Sequence, residues 1–195
     1  MKVYIIRHGQ TTSDLEDRYG GDYDDHLTDD GEKQAMVLAV KLKNEGIQII
    51  MCSPLIRAQE TAKILQHSIG CEVKVWKDLK ERNQNGILTG QIRSEAKAKH
   101  PDLVEKLKDY RNTIEGAESY NDFKKRIEKV FGELSNAGGY STIAVVTHGG
   151  PIRTIFREIL KVGEVDIADC GYALLVKNGS EIKMEKMDGI LQRTD

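Results

Sequence analysis

Three short apolar runs constrain this chain more than anything else in it: residues 2–6 (KVYII), 48–52 (QIIMC) and 142–147 (TIAVVT). Each has the length of a buried strand, and each stops abruptly at polar or glycine residues. Residues 2–6 run into Arg7-His8-Gly9, residues 48–52 into Ser53-Pro54 and residues 142–147 into His148-Gly149-Gly150. Between the runs, apolar residues recur at helical spacing. Ala35, Leu38, Ala39 and Leu42 fall at i, i+3, i+4, i+7, which predicts a helix over 29–45. Asp29 is placed to cap it with Glu32 as partner, and Gly46 to stop it.

Ser53-Pro54 predicts a cap and a first-turn proline for a second helix, with Arg57 in its first turn. That helix carries Ala58, Ala62, Leu65 and Ile69 on one face and stops at Gly70. Residues 72–76 alternate like a strand. Ser119 and Asp122 open a helix with the stripe Phe123, Ile127, Val130, Phe131 and Leu134, and residues 136–139 break it. A last helix starts near Pro151 with Ile152, Ile155, Phe156, Ile159 and Leu160. Two short strands follow, near 172–177 and 181–187, around an Asn178-Gly179 turn. Alternating strands and helices predict an α/β sandwich on a largely parallel sheet, as one domain over 1–195. A charged, helix-prone stretch interrupted by Pro101 reads as a short cap insertion at about 91–116.

Composition narrows the function. The chain is 39% hydrophobic and 31% charged, with net charge −2, so nothing general draws it to nucleic acid or an anionic membrane. No apolar stretch approaches the roughly 18 residues of a membrane span. Cys52, Cys71 and Cys170 are odd in number and form no CxxC pair. They read as reduced thiols of a cytoplasmic protein, with Cys52 a small buried hydrophobe.

In an open α/β sheet, ligands bind outside the carboxyl ends of the strands. Arg7, His8, Arg57 and His148 are therefore expected to converge, near helix N-termini that favour anions. Two histidines could suggest a metal, but two guanidiniums that cannot lose their protons would repel it. The same four groups suit a phosphoryl dianion, with backbone N–H groups near Gly9, Gly149 and Gly150 approaching closely. His26, His67 and His100 lack such company and read as structural or solvated.

These residues resemble the motifs of the histidine phosphatase superfamily, the phosphoglycerate mutase-like proteins, over nearly the whole chain. Arg7-His8-Gly9-Gln10-Thr11 is similar to its RHG motif, with Gln10 where an acid is usual. Blocks at Leu27–Ala35, Ser53–Ala62, Leu79-x-Glu81 with Gly86 and Gly90, Glu118–Arg126 and Thr147–Arg153 follow in order. The resemblance implies a three-layer α/β/α sandwich and a phosphatase that needs no metal or other cofactor. It implies His8 as nucleophile, Arg7, Arg57 and His148 as the rest of the phosphate pocket, and Glu81 as proton donor. Gly9, Thr11 and Gly149 join Arg7, Arg57 and His148 as expected phosphate contacts. Two departures stand out. Asp14 replaces the family's usual Asn, and a carboxylate there repels phosphate unless it turns away or carries a proton. Residues 85–90 lack the aromatics and acids of the usual block.

The residues can carry that chemistry. Neutral His8 attacks phosphorus, the cations meet the equatorial charge, and Glu81 protonates the departing alkoxide. The expected function is hydrolysis of a small phosphorylated metabolite, with a homodimer allowed. The alternatives are a cofactor-dependent phosphoglycerate mutase, disfavoured by the short cap, and a non-catalytic phospholigand-binding protein.

Overall fold

The computed structural model describes residues 1–135 and 138–193. Asn136, expected to help end a helix, lies outside them. In chain order the elements are β1 (Lys2–Arg7), α1 (Thr12–Leu15), α2 (Asp29–Leu42), β2 (Ile49–Cys52), α3 (Ile56–Ile69) and β3 (Glu72–Val75). Then come α4 (Arg93–Lys99), α5 (Pro101–Lys106), α6 (Tyr120–Ser135), β4 (Thr142–Thr147), α7 (Gly149–Thr154), β5 (Val165–Asn178) and β6 (Glu181–Gln192). A π-helical turn, Ile155–Ile159, extends α7.

The six strands form one sheet in the order β3-β2-β4-β1-β5-β6. The pairs β1–β4, β2–β4 and β2–β3 are parallel, and β1–β5 and β5–β6 antiparallel. The sheet is thus mixed, with its parallel half where the three apolar runs lie. All six residues of β4 are buried because helices cover both faces and strands flank both edges. Side chains alternate between two cores. Val3, Ile5, Ile143 and Val145 meet the α6 stripe of Phe123, Ile127, Val130 and Leu134 on one face. Tyr4, Ile6, Ala144 and Val146 meet Leu38 and Leu42 of α2 and Ala58, Ala62 and Leu65 of α3 on the other. The architecture is therefore the expected three-layer α/β/α sandwich. Between 91 and 116, α4 and α5 cover a small separate core of Leu88, Ala96 and Ile114 with Tyr19.

Several local expectations are corrected. Thr28, not Asp29, caps α2: its hydroxyl accepts from Gly31 N–H at 2.9 Å. Ser53-Pro54 does not open α3, which starts at Ile56 behind Leu55; Ser53 Oγ instead accepts Leu55 N–H at 3.2 Å. Helix α7 starts at Gly149, two residues before Pro151. The last two strands are much longer than their alternating centres. Strand β5 begins at Val165, and its first part pairs with β6 through a register shift between Ile167 and Tyr172. That irregularity, with Cys170 at φ 56°, hides the strand from period-two reading. It also projects β5 beyond the end of β1, where Arg7 lies.

Candidate active site

The carboxyl ends of β1, β2 and β4 meet at one buried place, and His8 is at its centre. The residue is 6% exposed. Its Nδ1 lies 2.7 Å from Gly9 O, so that nitrogen carries the proton and donates to the carbonyl. The other nitrogen, Nε2, keeps its lone pair and accepts from Arg57 Nε–H at 3.1 Å. Burial, then the Arg57 and Arg7 guanidiniums, holds the His8 pKa well below the ordinary 6.5.

Arg57 is fixed by the loop before α2. It donates to Tyr23 O at 2.6 Å, to Asp25 Oδ1 at 2.7 Å and to Gly21 O at 2.7 Å. Asp25, buried and also hydrogen-bonded by Ser13, makes this an ion pair closed from solvent. Sequence reasoning missed Asp25, because in the acidic run 22–25 no spacing separates it from Asp22 and Asp24.

His148 is fully buried, its ring centroid 5.0 Å from that of His8. Its Nε2 lies 2.6 Å from Ser53 Oγ, while its Nδ1 has no partner among the described residues. Burial first, then Arg57 and His8, holds its pKa well below 6.5 as well. Arg7 donates to Ile167 O at 2.6 Å and stands 3.1 Å from Asp169 Oδ1. The latter is a charge contact without hydrogen-bond alignment, since that oxygen has no hydrogen-bond partner among the described residues. Burial raises the Asp169 pKa against the pull of Arg7. Asp169 was not singled out in the sequence; only the projecting start of β5 brings it to the site.

Glu81 sits beside this group, across the start of α7. Its Oε1 accepts from Arg82 N–H at 2.7 Å and its Oε2 from Gly150 N–H at 2.9 Å. A Cβ on Gly150 would overlap the Glu81 carboxylate.

Two of the remaining expected contacts, Gly9 and Thr11, are engaged by protein groups. Gly9 N–H donates to Thr61 Oγ1 at 3.2 Å, and a Cβ there would run into the Gly31 carbonyl of α2. The Thr11 hydroxyl serves Asp14 Oδ2 at 2.8 Å, and Thr11 N–H serves the same oxygen at 2.9 Å. Asp14 is thereby spent on closing the first turn of α1. Gly149 lies directly after His148 at the start of α7. His26 pairs with Glu60 on the surface at 2.7 Å, and His100 joins α4 to α5. Neither they nor His67 approach the site.

Two neutral imidazoles and two anchored guanidiniums around one point can accept a tetrahedral dianion and present it to a nitrogen lone pair. Comparison with known proteins agrees. The profile of the histidine phosphatase superfamily (branch 1) matches residues 3–186. The metal-independent phosphoserine phosphatase of Arabidopsis thaliana is 31% identical over 163 residues, covering 81% of this chain and 68% of its own. Phosphoglycerate mutase-like protein 4 of the same plant is 31% identical over 161 residues, covering 80% and 70%. The alpha-ribazole phosphatase of Shigella flexneri superposes with a TM-score of 0.85 over 96% of each chain; at 22% identity it shows the shared fold.

Proposed function

Because this chain belongs to the histidine phosphatase superfamily, we propose that it hydrolyses phosphomonoesters of small metabolites through a phosphohistidine on His8. The observation that carries the reading is the state of the His8 ring. Gly9 O holds the proton on Nδ1, and Arg57 Nε–H marks where the Nε2 lone pair points.

In this reading the phosphoryl group enters beside Nε2. Arg57 turns its Nε–H from His8 to a phosphoryl oxygen, Arg7 binds another, and His148 Nδ1 a third. Nε2 attacks phosphorus in line with the ester oxygen, forming the N–P bond as the P–O bond breaks. Glu81 gives its proton to the leaving oxygen. It then takes a proton from the water that attacks phosphorus, releasing phosphate and restoring His8. Charges set in place beforehand lower the barrier because little reorganisation remains to be done. Asp14 turns its Oδ2 to the Thr11 N–H and hydroxyl, so that oxygen is held on the first turn of α1.

The test is turnover of para-nitrophenyl phosphate with acid-quench trapping of an acid-labile phosphoenzyme. Wild type should release phosphate and trap label, and His8→Ala should do neither. Equal slow release by both proteins would reduce the site to a phospholigand-binding pocket. The mutase alternative draws on the mutase-like relative. Interconversion of 2- and 3-phosphoglycerate, primed by the bisphosphate and faster than phosphate release, would establish it.

A further inference from the structure

Beside Glu81 lies a cleft of about 350 Å³ lined by Arg82, Tyr110, Tyr120, Gly150, Arg153 and Arg157 among others. That is the lower end of ligand-pocket size. Its wall contains Gly150, whose N–H holds Glu81, and Arg153 packs against Gly149, the residue after His148. The cleft thus adjoins the proton donor on the side a leaving group would occupy.

The arginines in it are not equivalent. Arg157 is paired with Glu164 at 2.7 Å and Glu158 at 3.0 Å. Arg193 is paired with Asp166 at 2.5 Å. Arg82 is buried and spends its donors on the carbonyls of Tyr110, Asn112 and Glu118. Arg153 differs from all three. Only its Nε is engaged, on Val165 O at 3.2 Å, and no carboxylate lies within ion-pair distance of it among the described residues. Its two terminal nitrogens have no hydrogen-bond partner there. A half-buried guanidinium with free donors, facing a cleft, has the chemistry to hold an anion.

Its spacing from Arg7 gives the size of the ligand. Arg7 hangs on Ile167 O, and Arg153 on Val165 O. These carbonyls are two residues apart on β5 and face the same side, so the anchors are about 6.5 Å apart. That separation suits two anionic groups joined by a short carbon chain.

We propose that the substrate's leaving group carries a second anion, a carboxylate or a second phosphate, and that Arg153 binds it in this cleft. The inference rests on the phosphatase reading for which end of the ligand is cleaved, and on the cleft alone for what the other end must be. Arg153 is then the residue that selects the substrate, and Tyr110 and Tyr120 wall the carbon chain.

The experiment compares esters that differ only in the second group: 3-phosphoglycerate, glycerol 1,3-bisphosphate and glycerol 3-phosphate. A charge-assisted contact predicts that wild type prefers one or both doubly anionic esters by about ten- to hundredfold in kcat/KM. Arg153→Gln should collapse that preference, and Arg153→Lys should restore part of it. The ester that gains more identifies the second anion. No preference in wild type, or an equal loss on all three esters in Arg153→Gln, overturns the proposal. Calorimetric binding of the same three compounds to His8→Ala separates the two readings. If wild type hydrolyses nothing, the phosphatase reading falls, while preferential binding of the doubly anionic compounds, abolished by Arg153→Gln, still upholds the cleft.

Discussion

Ser53 Oγ lies 2.6 Å from His148 Nε2, and the two settle each other's proton. Ser53 Oγ already accepts from Leu55 N–H, and among the described residues His148 Nε2 is the one acceptor within reach of its own proton. The hydroxyl therefore donates to Nε2, which assigns the imidazole proton to Nδ1, the nitrogen with no partner among the described residues. His148 becomes a neutral donor waiting for an acceptor. Ser53→Ala should release this tautomer and lower kcat on para-nitrophenyl phosphate by about tenfold or more. Long-range proton–nitrogen NMR reads the tautomer directly. Unchanged kcat with an unchanged His148 tautomer would show that Ser53 has no such role.

Burial of His8 and His148 as neutral rings makes stability depend on pH. Both have folded pKa values far below the unfolded 6.5, so the unfolded chain binds more protons below that pH. Their contribution is intact above about pH 6.5 and is lost as pH falls toward the folded values. His26 acts oppositely: Glu60 raises its pKa, so its stabilisation fades as pH rises through that raised value. Urea unfolding between about pH 5 and pH 8 should show stability falling below 6.5. His148→Gln should flatten that fall. A wild-type acid limb no steeper than that of His148→Gln would contradict the assignment.

Asp25 should matter for both fold and activity. It holds Arg57 in an ion pair with both side chains at most 5% exposed. Asp25→Ala leaves a buried, partly unpaired guanidinium, a change that costs about 3–5 kcal/mol in such sites. Thermal and urea denaturation measure the loss. Any folded fraction should also show raised KM for phosphate esters, because Arg57 is no longer aimed at His8. A loss within 0.5 kcal/mol of zero, about the scatter of surface changes, would mean that the loop does not anchor Arg57.

The acid role of Glu81 predicts dependence on the leaving group. Glu81→Gln should slow alkyl phosphates by about a hundredfold or more and aryl phosphates much less, since a phenolate leaves without full protonation. Gly150→Ala approaches the same test from the other side. Its Cβ would displace the Glu81 carboxylate, so it should reproduce the same selective loss on alkyl esters. Equal losses on both ester classes in the two variants would remove Glu81 from that role.

Much of the molecule was legible before folding. The faces of α2, α3 and α6 were marked by apolar residues at helical spacing, because a helix covering a sheet must present one stripe to it. The convergence of Arg7, His8, Arg57 and His148 followed from the place of three of them at strand ends and of Arg57 in the first turn of the helix after β2. Less legible were the caps. Thr28 and Asp29 are both good cap residues, and which is used depends on the angle at which the loop arrives. The start of β5 was hidden because a bulge interrupts its alternation.

What the sequence determined by itself was which residues would be buried and at which strand ends chemistry would gather, since periodicity and strand length act locally. What the tertiary structure decided was the partners: Asp25 on Arg57, Ser53 on His148, Asp169 and Ile167 on Arg7, and an Arg153 with no carboxylate partner among the described residues. These contacts join residues from 32 to 162 positions apart, and a pattern read along the chain carries no distance between such residues. Only the packed sheet fixes which carbonyl, hydroxyl or carboxylate each charged group meets first, and so which tautomer each imidazole holds.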